Sequence, residues 1–367
     1  MPLVNVREFE ALARERMTPS AFDYYCGGAG DERTLSENER AFGDITVWPR
    51  VLVDVSRVDP STTVLGTAVR SPVLIAPTAF AKLAHPEGEV GIARAAAAVG
   101  TIMTVSTLAS ATMEEVAAAA DGPRWFQLYV YKDRGVTEEL IARAEASGYR
   151  AIVLTVDTPV LGHRERDSRN GFTLPDGVSV RNLETCSTVI DGAGRWAAGS
   201  SFTAYIHSLF DASLTWSTIE WLRETTRLPV IIKGVLRSDD AELAVASGAS
   251  AIIVSNHGGR QLDGAPATVR ALPPIVAAVD GRAEVYLDGG VRRGVDVLKA
   301  VALGARAVLV GRPCLWGLAA DGQAGVARVL EILGNELAQA MALAGVPNVD
   351  LVTSQLVTVG QTRYDAG

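Results

Sequence analysis

Gly248-Ala249-Ser250-Ala251-Ile252-Ile253-Val254-Ser255-Asn256-His257-Gly258-Gly259-Arg260-Gln261-Leu262-Asp263-Gly264 carries a helix stop, a buried strand and a functional loop in one run. Gly248 suits the position just past a helix, where a left-handed backbone costs glycine little. Ala251 to Val254 is short and wholly apolar, as a strand covered on both faces must be. The loop after it places the His257 imidazole and the Arg260 guanidinium at one strand end, a base beside an anion clamp. Gly258 and Gly259 remove side chains where a substrate or a flat cofactor needs close backbone approach. The pattern implies chemistry on an acid.

The unit recurs along the chain. Apolar runs lie at Val73 to Ala76, Thr101 to Val105, Trp125 to Tyr129, Ala151 to Thr155, Val230 to Lys233, Ala251 to Val254, Glu284 to Leu287 and Ala307 to Val310. Between them stand Ala-rich segments of helical period, such as Val90 to Val99, Glu138 to Ala146, Asp239 to Ala246 and Gly294 to Leu303. Gly100, Gly148, Gly248 and Gly304 close several of these before the next strand. Parallel βα repeats that supply eight strands specify an α/β fold of the (β/α)8 TIM barrel type.

Ala151 and Val230 are separated by about three times the usual repeat, so a long insertion follows strand four. It is assigned to 171–213, with Gly171 to Gly177 and the polar stretch Thr188 to Thr203, and part of it reads as a lid over the site. A single domain over 1–367 is expected: a helical preface over 1–70, a barrel over 71–318, and C-terminal helices and tail over 319–367. Val6 to Arg16 and Asp31 to Phe42 read as helices of the preface. The paired Tyr24-Tyr25 between them reads, from spacing alone, as packing against the barrel.

A formal net charge of −8 over 367 residues, without a long basic run, argues against nucleic-acid or anionic-membrane partners. No apolar run approaches the roughly 18 to 20 residues that span a bilayer. Neither a secretory signal nor a Ser-Lys-Leu terminus is present, which makes the cytoplasm the default expectation. Cys26, Cys186 and Cys314 lack the spacing of a metal or redox pair, and no cluster of His, Asp, Glu and Cys has ligand spacing, so no metal is expected.

Catalytic residues of such barrels sit at the carboxyl ends of strands, and a phosphate often lies beyond strands seven and eight. There the chain reads Asp288-Gly289-Gly290-Val291-Arg292-Arg293-Gly294 and Gly311-Arg312-Pro313. Glycine turns expose backbone N–H groups, and Arg292 and Arg312 add charge-assisted hydrogen bonds. Lys233, one of four lysines, ends an apolar run. As a lone buried lysine it reads first as an ion-pair member, then as a Schiff-base nucleophile or a cation beside a cofactor. Of the four histidines, His85 reads as ordering a loop, His163 as site-lining or solvated, and His207 carries no motif, leaving His257 as the catalytic candidate.

Ser255 to Gly264, Phe126 to Tyr129, Leu154 to Pro159, Ile75 to Ala79 and Leu287 to Gly294 together closely resemble the FMN-dependent 2-hydroxy acid oxidases and dehydrogenases, which include glycolate, lactate and mandelate oxidases. The resemblance runs from about Val6 to the last helices. It implies FMN as cofactor, with Pro77, Thr78, Ala79, Ser106, Gln127, Thr155 and Ser255 along the ring and ribityl chain and Lys233 near N1. Asp288, Gly289, Gly290, Arg292, Gly311 and Arg312 are implied at the phosphate. For the substrate it implies Arg164 and Arg260 on the carboxylate, Tyr24 adding a hydrogen bond, Tyr129 facing the hydroxyl, His257 as base and Asp157 stabilising the imidazolium. It further implies an (S)-2-hydroxy acid oxidised to its 2-oxo acid, dioxygen reduced to hydrogen peroxide, and a homotetramer or homo-octamer.

Ala79 resembles the oxidase pattern, whereas the monooxygenase branch tends to glycine there. Leu108 stands where glycolate oxidases resemble one another in having tryptophan, and with Phe80 and Val160 also expected near the site this implies a larger aliphatic or aromatic acid. The alternatives are a dehydrogenase using a quinone or cytochrome, a related diphosphate isomerase, and an inactive flavin scaffold. The double arginine speaks against the isomerase, and intact His257, Arg260, Tyr129 and Lys233 speak against the scaffold.

Overall fold

The computed structural model describes residues 3–186 and 208–360. Eight parallel strands close into a barrel: β1 (Val73–Ile75), β2 (Met103–Ser106), β3 (Arg124–Leu128), β4 (Ile152–Thr155), β5 (Val230–Val235), β6 (Ala251–Val254), β7 (Glu284–Asp288) and β8 (Ala307–Val310). Each neighbours the next in chain order, and β8 returns to β1 through Val310 opposite Ile75. The expected helix stops hold. At Gly100 (φ 76°) the N–H bonds back to Ala96 as the helix Gly88–Val99 ends.

Alternation along each strand decides what fills the barrel. The inward set Leu74, Trp125, Val153, Ile231, Ile253, Tyr286 and Leu309 forms an apolar cluster of its own. Two residues further along, at the carboxyl ends, the inward positions turn polar: Gln127, Thr155, Lys233, Ser255 and Asp288, with Ser106 beside Gln127 in register. The site is thus the top layer of the barrel's own filling.

The preface departs from the all-helical expectation. Three helices, α1 (Val6–Arg16), α2 (Pro19–Cys26) and α3 (Arg33–Arg40), are followed by short strands. Ile45–Val47 pairs antiparallel with Val357–Val359, and Thr62–Val64 pairs with Thr67–Val69. The second pair is a hairpin whose Val64 and Val69 pack into the lower apolar layer and stopper the barrel. These runs are too short and too threonine-rich to show helical period. The boundary set after 318 falls a few residues before a kink at Asp321 and Gly322, where non-helical backbone separates two helices within Arg312–Leu343.

The helix Glu165–Arg169 precedes the insertion, Arg181–Glu184 lies within it, and Ser217–Thr225 leads from it into β5. The polar stretch from Thr188 to Thr203, and His207, lie outside the described residues. Among the described residues no helix is long and apolar enough to cross a membrane.

Candidate active site

Over the polar layer, at the carboxyl end of the barrel, lies a cavity. Its floor is a hydrogen-bonded row. Ser106 Oγ donates to Gln127 Oε1 (3.1 Å), and Gln127 Nε2 donates to Thr155 Oγ1 (3.0 Å). Across the barrel Lys233 Nζ donates to Ser255 Oγ (3.0 Å) and pairs with Asp288 Oδ2 (3.2 Å). Burial alone depresses the Lys233 pKa, but Asp288 and then Asp157 outweigh it and leave it raised, so the ammonium stays charged.

His257 stands on the β6 loop with a left-handed backbone (φ 59°), unusual for a residue with a side chain. Its N–H donates to Ser255 Oγ (3.0 Å), and its Nδ1 lies 2.8 Å from Asp157 Oδ1. Burial raises the Asp157 carboxyl, yet His257 and Lys233 hold it at about 2. Burial foremost, with Lys233 and Arg164, lowers the His257 pKa against the pull of Asp157, leaving the ring neutral at neutral pH. An ionised Asp157 fixes the proton on Nδ1 and leaves Nε2 a free acceptor, a tautomer assigned from the partner.

Sequence reasoning missed what brings this pair together. A register shift between Lys233 and Val235 puts Gly234 (φ 116°) in a bulge, and a Cβ there would stand 2.6 Å from Asp157 Cβ. A glycine directly after the strand lysine was the available signal. Gln261 Nε2 also donates to the carbonyls of Asp157 (2.9 Å) and Val160 (3.0 Å).

Two arginines share the wall. Arg164 is buried, and desolvation together with Arg260 draws its pKa down to about 10. Arg260 Nη1 donates to the carbonyls of Tyr24 (2.6 Å) and Gly27 (2.9 Å) at the end of α2, where helix carbonyls lack intrahelical partners. Its guanidinium carbon lies 5.2 Å from the Tyr24 ring centre. Tyr24 and Tyr129 both line the cavity, and burial raises both phenols above their usual range. Leu108 lines the same wall. Phe80 does not: it is buried behind Tyr24, with ring centres 6.1 Å apart. Val160 is 70% exposed and forms no part of the lining. Of the remaining histidines, His85 accepts from the Glu87 N–H (3.2 Å) in its loop, and His163 is exposed.

At the other end, Gly289 and Gly290 turn under α3. A Cβ on Gly290 would sit 1.9 Å from the Asn38 carbonyl oxygen, so only glycine fits. Arg292 is buried between Glu39 (2.8 Å) and the Trp316 ring (4.9 Å). Arg312 donates to the carbonyls of Tyr25, Gly258 and Gly27, and desolvation with Arg260 and Arg292 pulls its pKa to about 9. Arg292 Nε and Asp288 Oδ1 are buried without hydrogen-bond partners, one donor and one acceptor. Crowded cations with a spare donor suit a phosphate dianion, and a spare carboxylate oxygen suits a sugar-chain hydroxyl. Asp288 thus faces Lys233 through one carboxylate oxygen and leaves the other unpaired. Among the described residues no group of His, Cys, Asp and Glu is arranged to hold a metal.

The model of the FMN-dependent dehydrogenase family matches residues 13–359. The chain belongs to the FMN-dependent 2-hydroxy acid oxidase family. Its cofactor is FMN, and the crowded arginines and the polar row fit that group's phosphate and ribityl chain. Among family members, an L-lactate oxidase of Nostoc sp. is 52% identical over 96% of this chain and 98% of its own. Glycolate oxidase 1 of Zea mays is 49% identical over 99% of this chain and 98% of its own. The structure of a mandelate oxidase with (S)-4-hydroxymandelic acid superposes with a TM-score of 0.92 at 44% identity, covering 98% of this chain and 99% of that one.

Proposed function

We propose that this family member oxidises an (S)-2-hydroxy acid to the 2-oxo acid and passes the electrons to dioxygen, giving hydrogen peroxide. The observation that carries the reading is His257, its Nδ1 2.8 Å from Asp157 Oδ1, in one cavity with Arg164 and Arg260. Arg164 and Arg260 bind the carboxylate, and Tyr24 adds a hydrogen bond on the same side. Tyr129 faces the 2-hydroxyl. His257 Nε2 takes a proton from the substrate, and the imidazolium so formed is stabilised by Asp157, which stays ionised.

Pro77, Thr78, Ala79, Ser106, Gln127, Thr155, Ser255 and Lys233 would hold the ring and ribityl chain of FMN, while Asp288, Gly289, Gly290, Arg292, Gly311 and Arg312 would line the phosphate end. FMN supplies the two-electron acceptor when bound. Lys233, kept as an ammonium by Asp288 and Asp157, would supply a fixed positive charge toward the bound group. The balance is one hydroxy acid and one dioxygen to one oxo acid and one hydrogen peroxide.

The relatives are named for lactate, glycolate and mandelate oxidation, so the substrate rests on this chain's own wall. Leu108 leaves more room than an indole would, which supports a larger aliphatic or aromatic acid over glycolate. The test is anaerobic bleaching of the flavin band by acids from glycolate and L-lactate to both mandelate enantiomers, followed by air. Bleaching chiefly by bulky S acids, with fast recolouring and peroxide, supports the proposal. Slow recolouring overturns the oxidase assignment, and no bleaching by any acid overturns the substrate class.

A further inference from the structure

The two ends of the insertion each deliver one phenylalanine onto one of the two tyrosines that line the cavity. Phe172 stacks face to face on Tyr24, with ring centres 4.4 Å apart and planes 10° apart. Phe210 stacks on Tyr129 at 4.3 Å and 18°. All four rings are buried. Near-parallel contact between ring faces fixes the plane in which each phenol oxygen lies, something aliphatic packing of equal volume does not do.

Each stack is tied down by separate polar contacts. Phe172 follows the short helix Glu165–Arg169, whose Arg166 pairs with Glu32 (2.5 Å) and Asp23 (3.4 Å). Asn170 Nδ2 donates to Asp23 Oδ2 (2.9 Å), and Asp23 belongs to α2, the helix that carries Tyr24. Phe210 sits in an isolated bridge with Tyr131, flanked by Lys132 N–H to the Leu209 carbonyl and Asp211 N–H to the Val130 carbonyl (both 2.9 Å). Arg134 pairs with Asp211 (3.0 Å). The insertion is thus anchored at one end to the tyrosine of the preface and at the other to the tyrosine that follows β3.

We infer that Phe172 and Phe210 are positioning residues that aim the Tyr24 and Tyr129 hydroxyls at the substrate, and that they act on different kinetic parameters. The inference rests on the roles proposed above for the two tyrosines. Tyr24 assists carboxylate binding, so disturbing it through Phe172 weakens binding in ground and transition state alike and raises KM. Tyr129 faces the hydroxyl that loses its proton, so disturbing it through Phe210 lowers kcat.

The test compares Phe172→Leu and Phe210→Leu as FMN-loaded holoenzymes, with flavin content and melting temperature checked first. Phe172→Leu is expected to raise KM roughly three- to tenfold with kcat nearly unchanged, and Phe210→Leu to lower kcat by a similar factor, the scale of one ring-on-ring contact. Phe172→Tyr and Phe210→Tyr, which keep the stacked face, restore near-normal values. In a Tyr24→Phe background Phe172→Leu adds nothing further, because the hydroxyl it aims is gone; Tyr129→Phe cancels Phe210→Leu in the same way. Where a leucine variant does not accumulate as holoenzyme, the isoleucine variant is read instead. A defect that persists in the Tyr→Phe background, or equal changes in KM and kcat from both substitutions, overturns the inference while the tyrosine roles stand. Tyr24→Phe and Tyr129→Phe enzymes that behave as wild type overturn the tyrosine roles themselves.

Discussion

His257 and Asp157, 100 residues apart in the chain, meet at 2.8 Å with one ionised partner and one neutral one. Only the neutral ring accepts a proton, so kcat/KM rises with pH through the His257 pKa, which burial sets below the ordinary 6.5. Asp157 pulls that pKa upward. Asp157→Asn therefore moves the acid limb of the profile to lower pH while cutting the plateau by roughly 10²-fold, because the imidazolium loses its counter-charge. An acid limb that moves upward, read from kcat/KM between pH 4 and 8, contradicts this electrostatic arrangement.

The left-handed backbone at His257 governs which replacement is informative. Asparagine tolerates positive φ better than most residues. His257→Asn should retain FMN and the loop yet lose roughly 10²- to 10⁴-fold in kcat. Stopped-flow reduction with flavin content measured in parallel checks this; a loss below tenfold would remove His257 as the base.

Lys233 and Asp288 form a buried ion pair, and removing one partner leaves the other charge stranded. Lys233→Met should cost about 3–5 kcal/mol of stability. The double variant Lys233→Met with Asp288→Asn should recover part of it. Denaturant unfolding of both variants at saturating FMN decides the point, and equal stabilities would mean that the pair contributes nothing.

Glu89, 1% exposed, ties the β1 loop to the β2 loop by accepting from Ala81 N–H (2.9 Å), Ser110 N–H (2.8 Å) and Ser110 Oγ (2.8 Å). Those loops carry Ala79 and Leu108. Glu89→Ala leaves buried donors unpaired and should destabilise by about 3 kcal/mol, whereas Glu89→Gln, which can still accept, should cost about 1 kcal/mol or less. Thermal melts of the two variants separate a hydrogen-bonding role from mere bulk.

Leu108→Trp refills the wall that the leucine leaves open. The ratio of kcat/KM for mandelate over lactate should fall by about tenfold or more, within what shape discrimination in an apolar pocket delivers. An unchanged ratio would shift the specificity to other parts of the wall.

The barrel was legible because each βα unit repeats a local signal, and Lys233 because it ends an otherwise apolar run, whereas Gln127, Thr155 and Ser255 came only through the family resemblance. Arg292 and Arg312 stood out through their glycine turns. The rest depends on contacts distant in sequence. Nothing near Asp288 marks its pairing with Lys233, and nothing near Phe172 or Phe210 marks the tyrosine each one covers. The hairpin at Thr62 to Val69 and the bulge at Gly234 follow from closing the barrel, which no local window contains. Val160 is apolar and close in sequence to Asp157, yet a loop geometry held by Gln261 leaves it exposed.

The hairpin that stoppers the barrel makes the site a blind well. Val64 and Val69 share one buried apolar cluster with Trp125 and Tyr286, which fills the barrel below the polar layer. Among the described residues the site therefore belongs to the carboxyl-end face alone, the face that also carries His257 and Arg260.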